Sequence, residues 1–239
     1  EASGVITAVG DGVDREVGDE VIAYSVLGAY ASALNADDSK IHDKPADLDF
    51  ERAAGLLLVG ETAADAVATA NVSAGDIVLV HGGSGAVGSV VVQLAVKAGA
   101  TVIATGSSAN QSFISGLGAL PVTYGPGLLD RVVAAAPGVI TSTIDAVGTD
   151  EAIDTSLSLH SADKIVSIAA FGRGGDGIKL VDGSSAESKA HRAQAIPDLI
   201  ASAASGELVT EIASTYPLAD AAKALTELDG SHPRGTIIL

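Results

Sequence analysis

The sequence predicts an α/β protein in which a parallel sheet is covered by helices on both faces and is preceded by a smaller antiparallel β region. From residue 76, short apolar runs without polar alternation are each separated by one helical pattern, as in a buried parallel sheet. Before residue 46, short β-rich runs alternate with turns, as in antiparallel sheets. The chain is 47% hydrophobic without a long apolar run, a composition typical of a soluble globular protein.

The elements follow from spacing and breakers. The antiparallel region predicts strands at residues 3–9, 20–24 and 30–34, and apolar residues at helical spacing after Pro45 predict two helices up to Ala70. The alternating region predicts strands at residues 77–80, 101–105, 121–124, 141–145 and 164–170. Helices are expected between them at residues 87–98, 112–117, 128–136 and 151–159. A glycine-rich loop or mobile edge at 172–185 precedes two helix and strand pairs, at 190–205 with 208–213 and at 218–228 with 236–239.

A GxGxxG motif, Gly83-Ser84-Gly85-Ala86-Val87-Gly88, lies between the strand at 77–80 and the following helix. In a strand-to-helix turn these glycines allow a tight turn and close approach of the backbone to a pyrophosphate, which the free N–H groups of the helix then bind. The motif therefore predicts a Rossmann dinucleotide site. The alternative is a glycine-rich turn that binds nothing.

The charges near this motif favour NADPH over NADH. Residues 106–108, Gly-Ser-Ser, lie where an NAD-binding protein would carry a ribose-binding acid, and hydroxyl donors there suit an additional phosphate. No Asp or Glu occurs from residue 77 to residue 129, and Lys97 is the only Lys or Arg in that span. This distribution lowers the repulsion felt by a ligand with several negative charges.

The overall composition excludes several other classes. The 13 Lys and Arg against 30 Asp and Glu give a formal net charge of −17, with no basic cluster to attract nucleic acid or an anionic membrane. The chain has no cysteine, which excludes disulfides and thiolate zinc sites and fits a cytoplasmic location. No metal is expected, because the histidines follow no metal-binding spacing: His42, His81, His160, His191 and His232.

Some residues allow more than one interpretation. Residues 82–86, Gly-Gly-Ser-Gly-Ala, differ from the GxSxG motif at one position. Ser84, Asp145 and His191 could therefore form the triad of an α/β-hydrolase. His81 could touch a cofactor or be a hydrogen-bonded packing residue. Asp145 could bind a ribose or cap the next helix.

Ten short segments, taken together, resemble one family: residues 1–5, 9–13, 17–21, 28–31, 51–54, 60–63, 82–88, 117–119, 144–148 and 165–168. The chain resembles the medium-chain dehydrogenase/reductase superfamily, in its zinc-free quinone oxidoreductase and zeta-crystallin branch. This resemblance implies a partial GroES-like catalytic domain at 1–48, a Rossmann NADP-binding domain with lead-in helices at 49–186, and a C-terminal segment at 187–239 that completes the sheet. Glu1 would correspond to the acid of the family's Gly-His-Glu segment, so the opening part of the catalytic domain is expected to lie outside this chain.

The resemblance also implies cofactor-binding residues. Along the pyrophosphate it places Ser84, Gly85, Ala86 and Val87, and near the nicotinamide Thr62, Ala169, Ala170 and Phe171. It places Ser107 and Tyr124 at the adenosine 2′-phosphate, and it includes Val147 and Asn110 among the contacts. The family commonly has a basic residue at the position of Asn110 and often a lysine at the position of Thr236. This chain has neither, and Arg234 is the nearest basic substitute.

The activity implied by the resemblance is transfer of a hydride from NADPH to a quinone or a conjugated carbonyl compound. NADH is the less favoured donor, and no catalytic residue is assigned, since the proton could come from solvent or a tyrosine. An enoyl-thioester or enal reductase and a non-catalytic NADPH-binding protein are the alternatives. The family usually pairs through sheet edges, so a homodimer through residues 164–170 and 178–181 is expected.

Overall fold

The computed structural model describes residues 1–231 and 234–239, so His232 lies outside the described residues. Two compact units divide the chain, one formed by residues 1–59 with 196–239 and the other by residues 60–195. Within the described residues, no helix has both the length and the apolar character needed to cross a bilayer.

A three-stranded antiparallel sheet opens the first unit. In it, β1 (Ala2–Val5) pairs with β2 (Glu20–Ala23), which pairs in turn with β3 (Ile41–Asp43). The strand predicted at 30–34 is wrong, and β3 takes the third place. Tyr30 is 64% exposed and residues 31–33 are exposed too, so this segment has no surface to bury against, whereas β3 pairs with β2 beside the fully buried Ile22.

Two helices follow, as the apolar spacing predicts. The carboxylate of Asp49 caps α1 (Phe50–Ala54) by accepting a hydrogen bond of 2.7 Å from the Arg52 N–H. The carboxylate of Glu1 accepts hydrogen bonds from the first two N–H groups of α2 (Leu57–Thr69), at 2.9 and 3.0 Å. Glu1 therefore acts as the cap of α2 from a distant point in the sequence.

The second unit is built on a six-stranded parallel sheet with flanking helices. Its strands are β4 (Ile77–His81), β5 (Thr101–Gly106), β6 (Leu120–Thr123), β7 (Ser142–Asp145), β8 (Ile165–Ser167) and β9 (Lys179–Leu180). The connecting helices are α3 (Ala86–Lys97), α4 (Gln111–Gly116), α5 (Leu128–Ala135) and α6 (Asp150–Leu159). The strand order is β6-β5-β4-β7-β8-β9. The chain adds strands outward on one side of β4 and then continues on the other side with β7, so the connections leave β4 and β7 in opposite directions. The crevice outside the carboxyl ends of these two strands is where such sheets bind ligands.

Apolar side chains explain why this part follows the prediction. The central strands β4, β5 and β7 are buried over most of their length, so their continuous apolar runs are those of a sheet covered on both faces. One core cluster joins Leu79 of β4 and Ile103 of β5 to Leu128 and Val132 of α5. The predicted doubly wound sheet with a small antiparallel sheet is confirmed.

Two predicted features after β7 need correction. The strand predicted to continue to residue 170 ends at Ser167, because the Ser167 hydroxyl accepts hydrogen bonds from the N–H groups of Ala169 and Ala170 and turns the chain. The predicted loop at 172–185 contains a 3-10 helix over Phe171–Asp176 and the short strand β9.

The remaining elements are α7 (Ala186–Ser205), β10 (Ile212–Thr215), α8 (Ala221–Ser231) and β11 (Thr236–Ile238). In the first unit, β10 and β11 form a parallel pair. The strand predicted at 208–213 is displaced to Ile212–Thr215, because Leu208 belongs to the end of α7. Its N–H bonds to the Ser202 carbonyl at 3.0 Å around Gly206, whose φ of +78° is that of a glycine helix terminus.

Candidate cofactor-binding site

The glycine-rich loop is the turn from β4 into α3, and backbone hydrogen bonds tie it to β5. Its first residue, Gly82, has φ +79° and donates its N–H to the Thr105 hydroxyl at 3.1 Å. The next N–H, that of Gly83, donates to the Thr105 carbonyl at 2.8 Å. The loop is therefore held at the carboxyl edge of the two central strands.

Three positions in this loop show why the motif needs glycine. A Cβ on Gly88 would lie 2.0 Å from the Gly82 carbonyl oxygen, and one on Gly83 would lie 2.7 Å from the Ala104 Cβ. Gly85 differs, because it is exposed and a Cβ there would meet only the Gly82 oxygen at 3.4 Å. Gly83 and Gly88 close the turn, whereas Gly85 leaves an open face above it.

The helix that follows presents free backbone donors to that open face. The N–H groups in the first turn of any helix have no acceptor within the helix. The N-cap of α3 is Gly85, which has no side chain to accept a hydrogen bond from these groups. A twelve-residue helix with an uncapped N-terminus behind a glycine turn fits a pyrophosphate.

On one side of the loop, the ends of β5 and β6 carry three of the predicted contacts, one of which bonds to Ser84 of the loop. Asn110 donates its side-chain amide to the Ser84 hydroxyl at 3.1 Å. The Ser107 hydroxyl does not cap the short 3-10 helix that follows it. Within the described part of the chain, this hydroxyl is therefore free for a ligand. Tyr124, 59% exposed, donates its N–H to the Gly106 carbonyl at 3.4 Å, so it follows β6 directly beside Ser107.

The turn that carries Tyr124 is held by a residue that the sequence reasoning missed. All three nitrogens of the Arg131 guanidinium donate to carbonyls of this turn, to Thr123 at 2.9 Å, Pro126 at 2.8 Å and Gly125 at 2.7 Å. An arginine one turn into a helix looks like a solvated surface residue in the sequence. Only the glycines at 125 and 127, which predict a tight turn just before α5, gave a signal.

On the other side of the loop, a fully buried carboxylate organises the ends of β7 and β8. Asp145 accepts hydrogen bonds from the N–H groups of Val147 and Gly148, each at 3.1 Å. It also accepts the Ser167 hydroxyl proton at 2.6 Å. Asp145 therefore neither reaches a ribose nor caps α6, whose cap is Thr149.

The residues expected near a nicotinamide lie on these two strand ends. The side chain of Val147 lies against Gly82, and a Cβ added to Gly82 would lie 2.5 Å from the Val147 Cγ2. Gly148 packs on the Ala169 backbone. Ala170 is buried and its N–H bonds to Ser167, whereas the ring of Phe171 is 54% exposed. The structure thus brings the glycine loop, Val147 and the 169–171 segment together at one edge of the sheet.

Ion pairs hold the segment after Phe171. The Arg173 guanidinium donates to Asp150 and Asp154 of α6, both at 2.7 Å, and to Asp176 at 2.5 Å. The hydrogen bonds that Arg173 donates to Asp154, Asp176 and Asp150 raise the pKa of its guanidinium. The 3-10 helix is therefore tied to α6, which argues against the mobile alternative for this segment.

His81, the last residue of β4, is a buried packing residue. Its Nδ1 lies 3.3 Å from the Thr105 hydroxyl and its Nε2 lies 3.1 Å from the Ser156 hydroxyl. Burial lowers the pKa of His81 to about 4, so the ring is neutral at physiological pH. Both ring nitrogens are used inside the protein, which favours the packing interpretation over contact with a cofactor.

The hydrolase alternative is wrong, because its three residues have other partners. The Ser84 hydroxyl bonds to Asn110 and the Asp145 carboxylate bonds to Ser167. His191 lies on α7 and its Nδ1 is 3.1 Å from Asp65 of α2. The described part of the chain also holds no group of three or more potential metal ligands.

Thr62 is the one predicted contact that does not follow a strand. It lies partly buried on α2, ahead of β4. The other predicted contacts all lie after the carboxyl ends of β4, β5, β6, β7 and β8, in the loops there or, for Ala86 and Val87, in the first turn of α3.

Comparisons with known proteins point to one family. The family model described as zinc-binding dehydrogenase matches residues 130–239. An NADPH-dependent alkenal/one oxidoreductase of Arabidopsis thaliana chloroplasts is 36% identical over 137 residues, which are 52% of this chain and 36% of that protein. A probable quinone oxidoreductase of Schizosaccharomyces pombe is 31% identical over 172 residues, 70% of this chain and 52% of that protein. This chain therefore spans about a third to a half of the length of these curated relatives.

A solved structure extends the likeness to the whole fold. The quinone oxidoreductase from Coxiella burnetii superposes with a TM-score of 0.81 at 28% identity, covering 98% of this chain and 76% of that one. The strand order and the glycine loop after the first strand of the sheet define a Rossmann-type α/β protein. Within that class, the chain is similar to the quinone oxidoreductases of the medium-chain dehydrogenase/reductase superfamily, which confirms the resemblance.

Proposed function

We propose that the protein is an oxidoreductase that binds NADPH at the carboxyl edge of the parallel sheet and transfers a hydride to a quinone or a conjugated carbonyl compound. The observation that carries this proposal is the loop of residues 82–88, whose glycines open a face in front of the uncapped N-terminus of α3. The names of the Arabidopsis and fission yeast relatives support the cofactor and the substrate class.

The residues present fit a dinucleotide in three parts. Ser84, Gly85, Ala86 and Val87 would hold the pyrophosphate with backbone N–H groups. The 2′-phosphate would lie at Ser107, Asn110 and Tyr124, within a span of 53 residues (77–129) that has no Asp or Glu. The nicotinamide would lie at Val147, Ala169, Ala170 and Phe171, with Thr62 on its other side.

Bound NADPH would supply the hydride, so the chain itself needs no group that changes its covalent state. Its residues bind, orient and exclude water: the Asp145 and Ser167 pair fixes two loops, and the exposed ring of Phe171 offers an apolar surface to a planar substrate. We propose that no zinc takes part, since the chain has no cysteine to build the thiolate site that a family of zinc-binding dehydrogenases would use.

Further parts of the proposal concern assembly and location. A homodimer would form through the edge of the sheet at β9, whose Leu180 is exposed, and the enzyme would act in the cytoplasm. Light scattering at micromolar concentration tests the dimer, and a monomer would contradict it.

The experiment is a calorimetric titration with NADPH and with NADH, followed by an assay of NADPH oxidation with a panel of quinones, enals and enoyl thioesters. We expect binding of NADPH and turnover of small quinones or enones. Turnover of thioesters or enals alone would favour the alternative reductase, and binding without any turnover would favour a non-catalytic NADPH-binding protein. A chain that binds neither nucleotide would refute the proposal.

A further inference from the structure

Arg131 occupies a position inside the turn that carries Tyr124. Its three nitrogens each reach a different carbonyl of residues 123–126, between 2.7 and 2.9 Å. Gly127, at φ +80°, has no side chain to block this, and a Cβ there would approach the Arg131 Nη1 to 3.3 Å. The turn is therefore wrapped around the guanidinium, and Tyr124 is placed by it.

The charge of Arg131 is unusual for this protein. Within the described residues, the other five arginines each lie within 4.0 Å of a carboxylate, as expected for a chain of net charge −17. Arg131 makes no such pair there and bonds only to neutral carbonyls. A guanidinium stays protonated in proteins, so this position keeps a full positive charge that no contacting carboxylate neutralises.

One carboxylate also bonds to this turn. Glu151, in the first turn of α6, accepts the N–H of Gly125 at 3.0 Å through its Oε2. The turn is thus held by a cation at its carbonyls and by an anion at one amide. The two residues support the same backbone but have opposite effects on an anion bound beside Tyr124.

We propose that Arg131 determines the preference for NADPH over NADH, by placing Tyr124 and by attracting the adenosine 2′-phosphate, and that Glu151 moderates this preference. The inference rests on the proposed function and deepens it by naming a specificity-determining residue outside the predicted contacts. Arg131 acts by supporting the turn that carries Tyr124 and by its positive charge. It thereby takes the role of the basic side chain that the family often carries at the position of Asn110.

The test compares the dissociation constants of NADPH and NADH for the wild-type chain and four variants by isothermal titration calorimetry. Arg131→Gln removes the charge, and we expect it to weaken NADPH about tenfold while changing NADH less than about threefold. Arg131→Lys keeps the charge but lacks the planar fork of three nitrogens that reaches these carbonyls, so we expect a smaller loss of NADPH affinity than in Arg131→Gln. Glu151→Gln keeps an acceptor for the Gly125 amide and removes the negative charge, so NADPH binding tightens a few fold.

Lys97→Gln is the matched control, because it makes the same charge change at the far end of α3, near the start of β5. We expect it to leave the ratio of the two dissociation constants unchanged. Raising the salt from about 50 mM to about 500 mM should reduce the difference between Arg131→Gln and the wild type, as screening of a charge requires.

The outcomes separate this inference from the proposed function. A wild-type chain that binds neither nucleotide refutes both. A wild-type chain that prefers NADPH and keeps the same ratio in Arg131→Gln and Glu151→Gln refutes only the role of Arg131. Equal weakening of NADPH and NADH by Arg131→Gln also refutes it, since that is the result of a purely structural role. If Arg131→Gln does not fold, Arg131→Lys and Glu151→Gln decide the question.

Discussion

The Ser167 hydroxyl lies 2.6 Å from the Asp145 carboxylate, and both side chains are fully buried. Ser167 donates to Asp145 and accepts from two backbone N–H groups, while Asp145 accepts from two more. One hydrogen-bonded pair thus determines the course of the chain after both β7 and β8. These are the two loops assigned to the nicotinamide in the proposed function.

Replacing Ser167 with alanine should destabilise the second unit by about 1–3 kcal/mol, because it leaves the buried Ala170 N–H, the partly buried Ala169 N–H and one buried carboxylate oxygen with fewer partners. Asp145→Asn should cost at least as much, since its amide donor would face backbone N–H groups. Urea unfolding measures both. Ser158→Ala, which removes an exposed hydroxyl bonded within α6, is the control and should stay within about 0.5 kcal/mol of the wild type. An equally small effect of Ser167→Ala would contradict the role given to this pair.

The glycines of the loop should separate folding from binding. Gly88→Ala places a Cβ 2.0 Å from the Gly82 oxygen, so we expect a lower melting temperature together with loss of nucleotide binding. Gly85→Ala would meet only the Gly82 oxygen, at 3.4 Å, and has an ordinary φ of −75°, so it should melt like the wild type yet bind NADPH at least about tenfold more weakly. Gly116→Ala meets no atom within 4 Å and serves as the control. Unchanged NADPH binding by Gly85→Ala would argue against a pyrophosphate at this face.

Arg173 should restrain the segment that carries Phe171. Arg173→Gln removes all three ion pairs, and we expect faster amide hydrogen exchange in residues 171–176 with little change in global stability, because these pairs are exposed to solvent. Arg52→Gln, which breaks an exposed pair elsewhere, is the control. Exchange that remains as slow as in the wild type would show that the 3-10 helix does not depend on the ion pairs.

The sequence carried enough information to predict the sheet and the loop, because apolar runs and glycines act locally. The placement of residues 83–88 between a buried strand and a helix depends only on residues near them. Asp145 shows the limit, since its partner Ser167 lies on the next strand and the pairing of Asp145 with Ser167 depends on the register of the sheet. Arg131 shows another limit, because whether a guanidinium faces solvent or a turn depends on the backbone of residues 123–127. The displaced strand at Ile212–Thr215 was missed for a related reason, since the apolar Leu208 serves the end of a helix rather than a strand.

Hydrogen bonds around His81 also predict a pH dependence. The Ser156 hydroxyl donates to the Ala152 carbonyl at 2.7 Å, so it accepts the Nε2–H of His81. The Thr105 hydroxyl accepts the Gly82 N–H and is left to donate to Nδ1. The network is complete only with a neutral ring, and it ends at the first residue of the glycine loop.

Lowering the pH should therefore destabilise the second unit through His81. The unfolded chain binds a proton there below about pH 6.5, whereas burial lowers the pKa of the folded-state ring to about 4. Stability from this residue is complete above pH 6.5 and is lost as the pH falls toward 4, by up to about 3 kcal/mol.

The measurement is urea unfolding of the wild type and of His81→Gln between pH 4 and pH 7. Glutamine can keep both hydrogen bonds but does not titrate, so the difference between the two curves isolates His81 from the carboxylates. His160→Gln is the control: its ring is only half-buried, so it should retain most of the wild-type slope. Parallel curves for the wild type and His81→Gln would mean that the ring does not stay neutral in the folded protein.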